Sequence, residues 1–279
     1  MLVLARIHEG KPSRLARSED GPAVRSLRTA VSLFTVIPVG GEAELSEGDA
    51  ARAVLWLPVV GLLLGLAGAG VMIGVDAGGS GGPRRLLGAA LAVGVIALLT
   101  GGLHLDGLAD TADGLGSRRA SADALAIMRR SDVGPMGVAA LVLVLLVQVT
   151  AVAAVPRVSL AAASLVLAEV TGRVAVVVAT GSPAARPGGF GALVAGRTSP
   201  LARTLVVVLL GCAIVVAGLA SDDAGLAVRG LVAALIGLLA GGLLQLVARR
   251  RLGGMTGDVF GAIVEVSAAT VLVACVLVG

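Results

Sequence analysis

The residues best placed to do chemistry lie in one stretch, Gly101 to Ser117, which reads GGLHLDGLADTADGLGS. Asp106, Asp110 and Asp113 stand at i, i+4 and i+7, so a helix of 3.6 residues per turn carries all three carboxylates on one face. Like charges stacked in this way repel, each exposed i,i+4 pair costing about 0.2–0.5 kcal/mol. A bound cation removes that cost. Hard oxygen donors favour magnesium, manganese or calcium over zinc. The interleaved glycines, Gly107 among them, leave room for a ligand or a second helix to come close. The bland alternative is a solvated acidic face. His104 adjoins the stretch and is a candidate base, although a lone histidine at a helix end more often serves as a hydrogen-bonding residue.

Other candidate groups lie further along. Ile127–Gly137, IMRRSDVGPMG, offers Arg129, Arg130 and Ser131 for phosphate oxygens, against the plainer role of loop arginines at a membrane surface. Gly253–Glu265, GGMTGDVFGAIVE, sets Asp258 and Glu265 at i,i+7 on one helix face. Glu265 would lie two turns inside an apolar span, where an ionisable side chain costs about 2.5–3.5 kcal/mol, so it needs a metal, an arginine or a proton as partner. Glu169 and Arg173, also inside an apolar span, can pair at i,i+4, or Arg173 can turn to an anionic substrate.

The elements that must position these groups are membrane helices. The chain has 279 residues, 57% of them hydrophobic, and a mean hydropathy of +0.99, well above a soluble domain. Seven apolar stretches have spanning length: Ala53–Val75, Leu86–Leu103, Met136–Val155, Val158–Thr180, Thr204–Ala220, Gly230–Val247 and Val259–Val278. The fifth and sixth are short enough to be re-entrant. Ser26–Val39 is too short to cross and is expected to lie at the interface or to re-enter the bilayer. The second stretch is expected to run on as one helix to Asp113, lifting the aspartates just above the apolar layer. The fold class is therefore all-α, a polytopic bundle of about seven transmembrane helices. Residues 1–25 form a polar, basic tail, and residues 26–279 a single membrane-embedded catalytic domain.

Orientation follows from charge, because three phenylalanines and one tryptophan cannot form an aromatic belt. With seven spans, 17 Lys and Arg residues fall on the side of the N-terminus and 4 on the other. The N-terminus is therefore expected in the cytoplasm, with the aspartate stretch on the same face. The first fifty residues do not read as a signal peptide. The net charge of +4 does not indicate nucleic-acid binding, since the arginines lie between apolar spans without aromatic interleaving. Cys212 and Cys275 sit in apolar runs and read as small core residues. Gly61, Gly65, Gly70 and Gly74 are candidate helix-packing positions. There is no GxxxxGK[ST] and no strand-bounded GxGxxG. Carboxylates with arginines at a membrane surface suit a metal-bridged diphosphate.

The run LLTGGLHLDGLADTADG, Leu98 to Gly114, resembles the signature of the cobalamin synthase family, the adenosylcobinamide-GDP ribazoletransferases. Phe34, Thr35 and Pro38 match its N-terminal block, Ile127, Met128, Arg129, Ser131 and Gly134 a second, and Gly253–Glu265 a third. The likeness runs from about Leu27 to the C-terminus. Arg130 stands where the family usually has aspartate, and Asp132 where it has arginine.

The resemblance implies a magnesium-dependent membrane enzyme. Adenosylcobinamide-GDP and α-ribazole, or its 5'-phosphate, would give adenosylcobalamin, or its 5'-phosphate, and GMP. Asp106, Asp110 and Asp113 would hold the metal, with Asp258 and Glu265 as further ligands. Arg129 would steady the phosphate, helped by Arg130, Ser131, Arg173 and Gly107, and Asp113 or His104 would take the proton. The expected setting is the cell membrane with the active site on the cytoplasmic face. The partners are these substrates and the lipid bilayer, with no nucleic acid; a homo-oligomer is compatible with the sequence. The carboxylate spacing also resembles in its logic the CDP-alcohol phosphotransferases, the alternative enzyme class. A cation- or proton-coupled transporter built on Glu169, Arg173 and Glu265 is the reading from a different class.

Overall fold

The computed structural model describes residues 21–39, 46–79, 81–221 and 223–279. The first twenty residues of the expected tail lie outside them. Among the described residues the chain forms twelve helices: α1 Pro22–Phe34, α2 Glu47–Val54, α3 Leu57–Ala77, α4 Gly82–Leu99, α5 Leu103–Gly116, α6 Ser121–Ile127, α7 Pro135–Ala154, α8 Val158–Ala179, α9 Gly189–Val194, α10 Pro200–Ala220, α11 Ala224–Leu252 and α12 Gly257–Leu277. Seven of these, α3, α4, α7, α8, α10, α11 and α12, are long and apolar enough to cross a membrane. Proline in the first turn starts α1, α3, α4, α7 and α10, where a missing N–H costs nothing. Side chains of Ser199, Asp223 and Thr256 cap α10, α11 and α12.

Helices α8 and α12 form the centre of the bundle. α8 packs against α3, α10, α11 and α12, and α12 also takes α5 and α7 on its other faces. Close approach of α3 to α8 depends on two of the expected packing glycines: a Cβ at Gly61 would lie 2.6 Å from the Glu169 carbonyl, and one at Gly65 2.7 Å from Val166 Cα. Gly70 and Gly74 face open space and pack against nothing, so the glycine face stops after its first turns. The exterior is apolar: Leu201, Leu209, Val216 and Leu219 of α10 are exposed. The interior holds Gln148, Glu169, Thr171, Arg173 and Ser267. That inversion is what a hydrocarbon solvent dictates, since only helices turned inward can satisfy polar side chains there.

Several expectations are corrected. α10 and α11, expected to be short enough for re-entry, have 21 and 29 residues. Caps and a terminal arginine turn extend them beyond their apolar cores. Ahead of the first span, Ser46 accepts the Asp49 N–H at 3.1 Å and starts α2. Cys212 is exposed on α10 rather than a core residue. α1 has 13 residues, too short to cross, as expected.

The largest correction concerns the second span. It does not run on to Asp113. α4 ends at Leu99, and Gly101 and Gly102 take φ of 59° and 72°, a left-handed region that costs other residues strain. The Val36 N–H bonds to the Leu99 carbonyl at 2.8 Å, which satisfies an end of the broken helix. α5 then starts afresh and packs on α12 and α7 rather than prolonging α4.

Candidate functional site

α5 is drawn against α12 by two glycines. A Cβ at Gly107 would fall 2.6 Å from the Asp258 carbonyl, and one at Gly261 3.2 Å from His104 Cα. This contact puts Asp106 and Asp110 beside Asp258, at the start of α12. Asp106 is exposed, while Asp110 and Asp258 are half-buried. Burial and the charges of Asp106, Asp258 and Asp113 push the Asp110 carboxyl up to about 7, with Arg186 pulling the other way. Thr256 Oγ1 donates to Asp258 Oδ2 at 3.1 Å.

Asp113 faces another way. Its Oδ2 accepts the Gly134 N–H at 2.7 Å and its Oδ1 the Gly137 N–H at 2.8 Å. The carboxylate thus caps α7 from a neighbouring helix, at the end where the helix dipole favours negative charge. A Cβ at either glycine would come within 2.5 Å of an Asp113 oxygen.

Glu265 also parts from the cluster. It lines a cavity of about 20 Å³, room for one water, together with Thr100, Leu105, Gln148 and Glu169. Gln148 Nε2 donates to Glu265 Oε2 at 2.8 Å. The partner the structure shows is an amide from another helix. Arg173 is 1% exposed and pairs with Glu169, the i,i+4 pairing expected; its Nη1 also reaches the Glu169 carbonyl at 3.3 Å. The guanidinium is enclosed. His104 is buried with Nδ1 unpartnered. Burial, aided by the Arg173 charge, holds its imidazole well below the ordinary value, so it is neutral.

Arg129, Arg130 and Ser131 are exposed in the turn between α6 and α7, and their side chains make no hydrogen bond or ion pair among the described residues. The cation that does reach the cluster is Arg186, which sequence reasoning treated only as a loop charge. Its Nη2 lies 3.5 Å from Asp258 Oδ2, and its Nη1 donates to the Leu125 carbonyl at 3.3 Å. No local spacing signals this contact, because 72 residues separate the two partners. The same holds for Gln148 and Glu265, 117 residues apart.

The donor set of Asp106, Asp110 and Asp258 is all hard oxygen, and the elevated Asp110 carboxyl marks a place where a dication would relieve repulsion. The chemistry fits magnesium. Among the described residues no three His, Cys, Asp or Glu side chains are closed to mutual ligand distance.

A bundle of seven helices long and apolar enough to cross a membrane, with carboxylates gathered at the start of the last, defines a multi-pass membrane protein. Residues 26–276 match the family model described as cobalamin-5-phosphate synthase, and the chain belongs to that family. It is similar to an adenosylcobinamide-GDP ribazoletransferase of Frankia casuarinae, 41% identical over 258 residues that make up 88% of this chain and 92% of the relative. Proteins of the same name from Bradyrhizobium diazoefficiens and Pseudomonas aeruginosa are 39% and 40% identical, covering 86% and 91% of this chain and 88% and 99% of theirs. No solved structure matches the chain.

Proposed function

We propose that this chain is the transferase that joins adenosylcobinamide-GDP to α-ribazole, or to its 5'-phosphate, and releases GMP. The observation that carries the reading is the meeting of Asp106 and Asp110 with Asp258, next to Arg186, in a member of this family. Asp106, Asp110 and Asp258 would hold Mg²⁺, which when bound neutralises diphosphate oxygens and makes the phosphorus more electrophilic. A ribose hydroxyl oxygen of α-ribazole forms the new bond to the cobinamide-side phosphorus. The bond from that phosphorus to the bridging oxygen breaks, and GMP leaves with the electron pair. The hydroxyl proton passes to a carboxylate or to water.

The residues divide these tasks differently from the first expectation. Asp113 spends both oxygens on α7, so its part is to fix α5 against α7 rather than to accept the proton. His104, buried and neutral, supports the α5–α12 contact from below. Glu265 belongs with Gln148 to the interior and braces α12. Arg129 and Arg130 stand exposed, available to an anionic substrate.

The charge asymmetry supports a cytoplasmic N-terminus and a site on the cytoplasmic face of the cell membrane, since Arg118, Arg119, Arg186 and Arg249–Arg251 surround the same end of the bundle. The test is GMP release by the detergent-purified protein from adenosylcobinamide-GDP and α-ribazole with Mg²⁺. Product formation that stops on chelation supports the reading. A folded protein that releases no GMP with any divalent ion refutes it and directs attention to CDP-alcohol substrates.

A further inference from the structure

The loop that carries Arg186 is held to the site by backbone, not by the arginine. The Ala185 N–H donates to the Met255 carbonyl at 2.9 Å, and the Met255 N–H to the Pro183 carbonyl at 2.8 Å, a short parallel bridge. A Cβ at Gly254 would lie 2.4 Å from the Pro183 carbonyl, and one at Gly191 2.8 Å from Thr256 Cα. The two segments therefore close on each other as bare backbone on both sides of Arg186. Just beyond this seam, Phe190 stacks edge-on against Phe34 of α1 at 5.3 Å. The arginine is delivered to the edge of the carboxylates by a scaffold that does not need its charge.

What Arg186 does there is loosely engaged. Its distances to Asp258 and Leu125, 3.5 and 3.3 Å, exceed the roughly 2.7–2.9 Å of a firm charge-assisted bond. The Arg186 and Asp258 side chains are 22% and 25% exposed, so both are open to a ligand from solvent. A guanidinium has five donors, and these two contacts leave most of them unspent. A dication on Asp258 would replace the weak attraction that now holds Nη2, and would bring anionic oxygens to the guanidinium's edge.

We propose that Arg186 is the substrate-binding arginine of this site, gripping the diphosphate of a nucleoside diphosphate ester while the carboxylates take the cation. The proposal rests on the transferase reading for its substrate, but its ligand chemistry is simply a metal-bound diphosphate. The role expected of Arg129 passes to Arg186 because Arg129 lies outside the cluster. A planar fork suits two oxygens of one phosphate in a way a point charge does not.

The test uses the full chain in detergent, with GDP and inorganic pyrophosphate, each with Mg²⁺, as probes in calorimetric titration. R186Q keeps a donor for the Leu125 carbonyl and removes the charge; R186K keeps the charge and loses the fork. The expected result is GDP and pyrophosphate binding weakened at least tenfold in R186Q and partly restored in R186K, with the melting temperature near wild type. In turnover, R186Q is expected to raise KM for adenosylcobinamide-GDP more than it lowers kcat. Binding within twofold of wild type in R186Q overturns the proposal, as does a wild type that binds neither probe. Probe binding lost in R186Q, from a wild type that releases no GMP, would refute the transferase reading while supporting the arginine's role.

Discussion

Asp113 and Gly137 are joined by a hydrogen bond of 2.8 Å that ties α5 to the first turn of α7, and the second Asp113 oxygen is tied to Gly134 in the same way. An aspartate on the acidic helix face thus acts as the cap of a different helix. Gly137→Ala would put a Cβ 2.5 Å from Asp113 Oδ2 and 2.9 Å from the Ala109 carbonyl. The expected cost is about 1–3 kcal/mol, the range for overpacking. It is read as a lower melting temperature in detergent, and an unchanged melting temperature would deny the clasp.

Asp113→Asn should separate this role from metal binding. An amide presents one acceptor and one donor to two backbone donors, so one N–H loses its partner, at a cost of about 1–3 kcal/mol. The stabilisation that Mg²⁺ gives to the folded protein should persist in this variant and vanish in Asp110→Asn. Loss of the Mg²⁺ response in Asp113→Asn would return that residue to the metal set.

The Asp110 carboxyl gives a pH dependence with a definite sign. Its ordinary value of 3.8 is raised to about 7 in the fold. The folded state therefore holds this proton more tightly than the unfolded one, and the stability it contributes is present below pH 4 and is lost as pH rises through 7. A divalent ion competes with that proton. The rise in melting temperature caused by Mg²⁺ should be large at pH 8 and small at pH 5.5, and Asp110→Asn should make the metal-free protein more stable at pH 8. Equal Mg²⁺ responses at both pH values would contradict the placement of Asp110.

Arg173 and Glu169 form the buried pair at the bundle centre. Arg173→Met removes one partner and should cost about 3–5 kcal/mol, the range for an abandoned buried charge. Adding Glu169→Gln should recover much of that loss. Expression and thermal stability of the single and double variants measure it; equal losses in the two would show that the pair does not act as a unit.

Much of this architecture was legible in the residues themselves. Seven apolar runs, the Gly61 and Gly65 approach and the Glu169–Arg173 pairing are local patterns, set by helical period and the lipid environment. So is the gathering of carboxylates at one end of the bundle. What escaped notice depends on contacts between distant segments. The break at Gly101 and Gly102 hides in a run whose composition suits a continuous helix, and only the left-handed backbone reveals it. The cap on α7 joins residues 21 and 24 positions apart, and no spacing rule links an aspartate to another helix's N–H groups. Arg186 reaches Asp258 through a backbone bridge between two glycine-bearing loops; those glycines were the one hint that the loops meet. Gln148, a lone amide in an apolar run, could have been matched to Glu265 by asking what satisfies a carboxyl inside a span.

The central claim is that Asp106 and Asp110, with Asp258, form the metal-holding part of a GMP-releasing site. The most direct measurement is the rate of GMP release from adenosylcobinamide-GDP and α-ribazole, with Mg²⁺, by wild type, Asp106→Asn and Asp110→Asn. The account predicts product from wild type and rates at least ~10²-fold lower in both variants at unchanged size-exclusion profile, the scale of losing transition-state charge stabilisation. Well-folded variants that release GMP at the wild-type rate would contradict it.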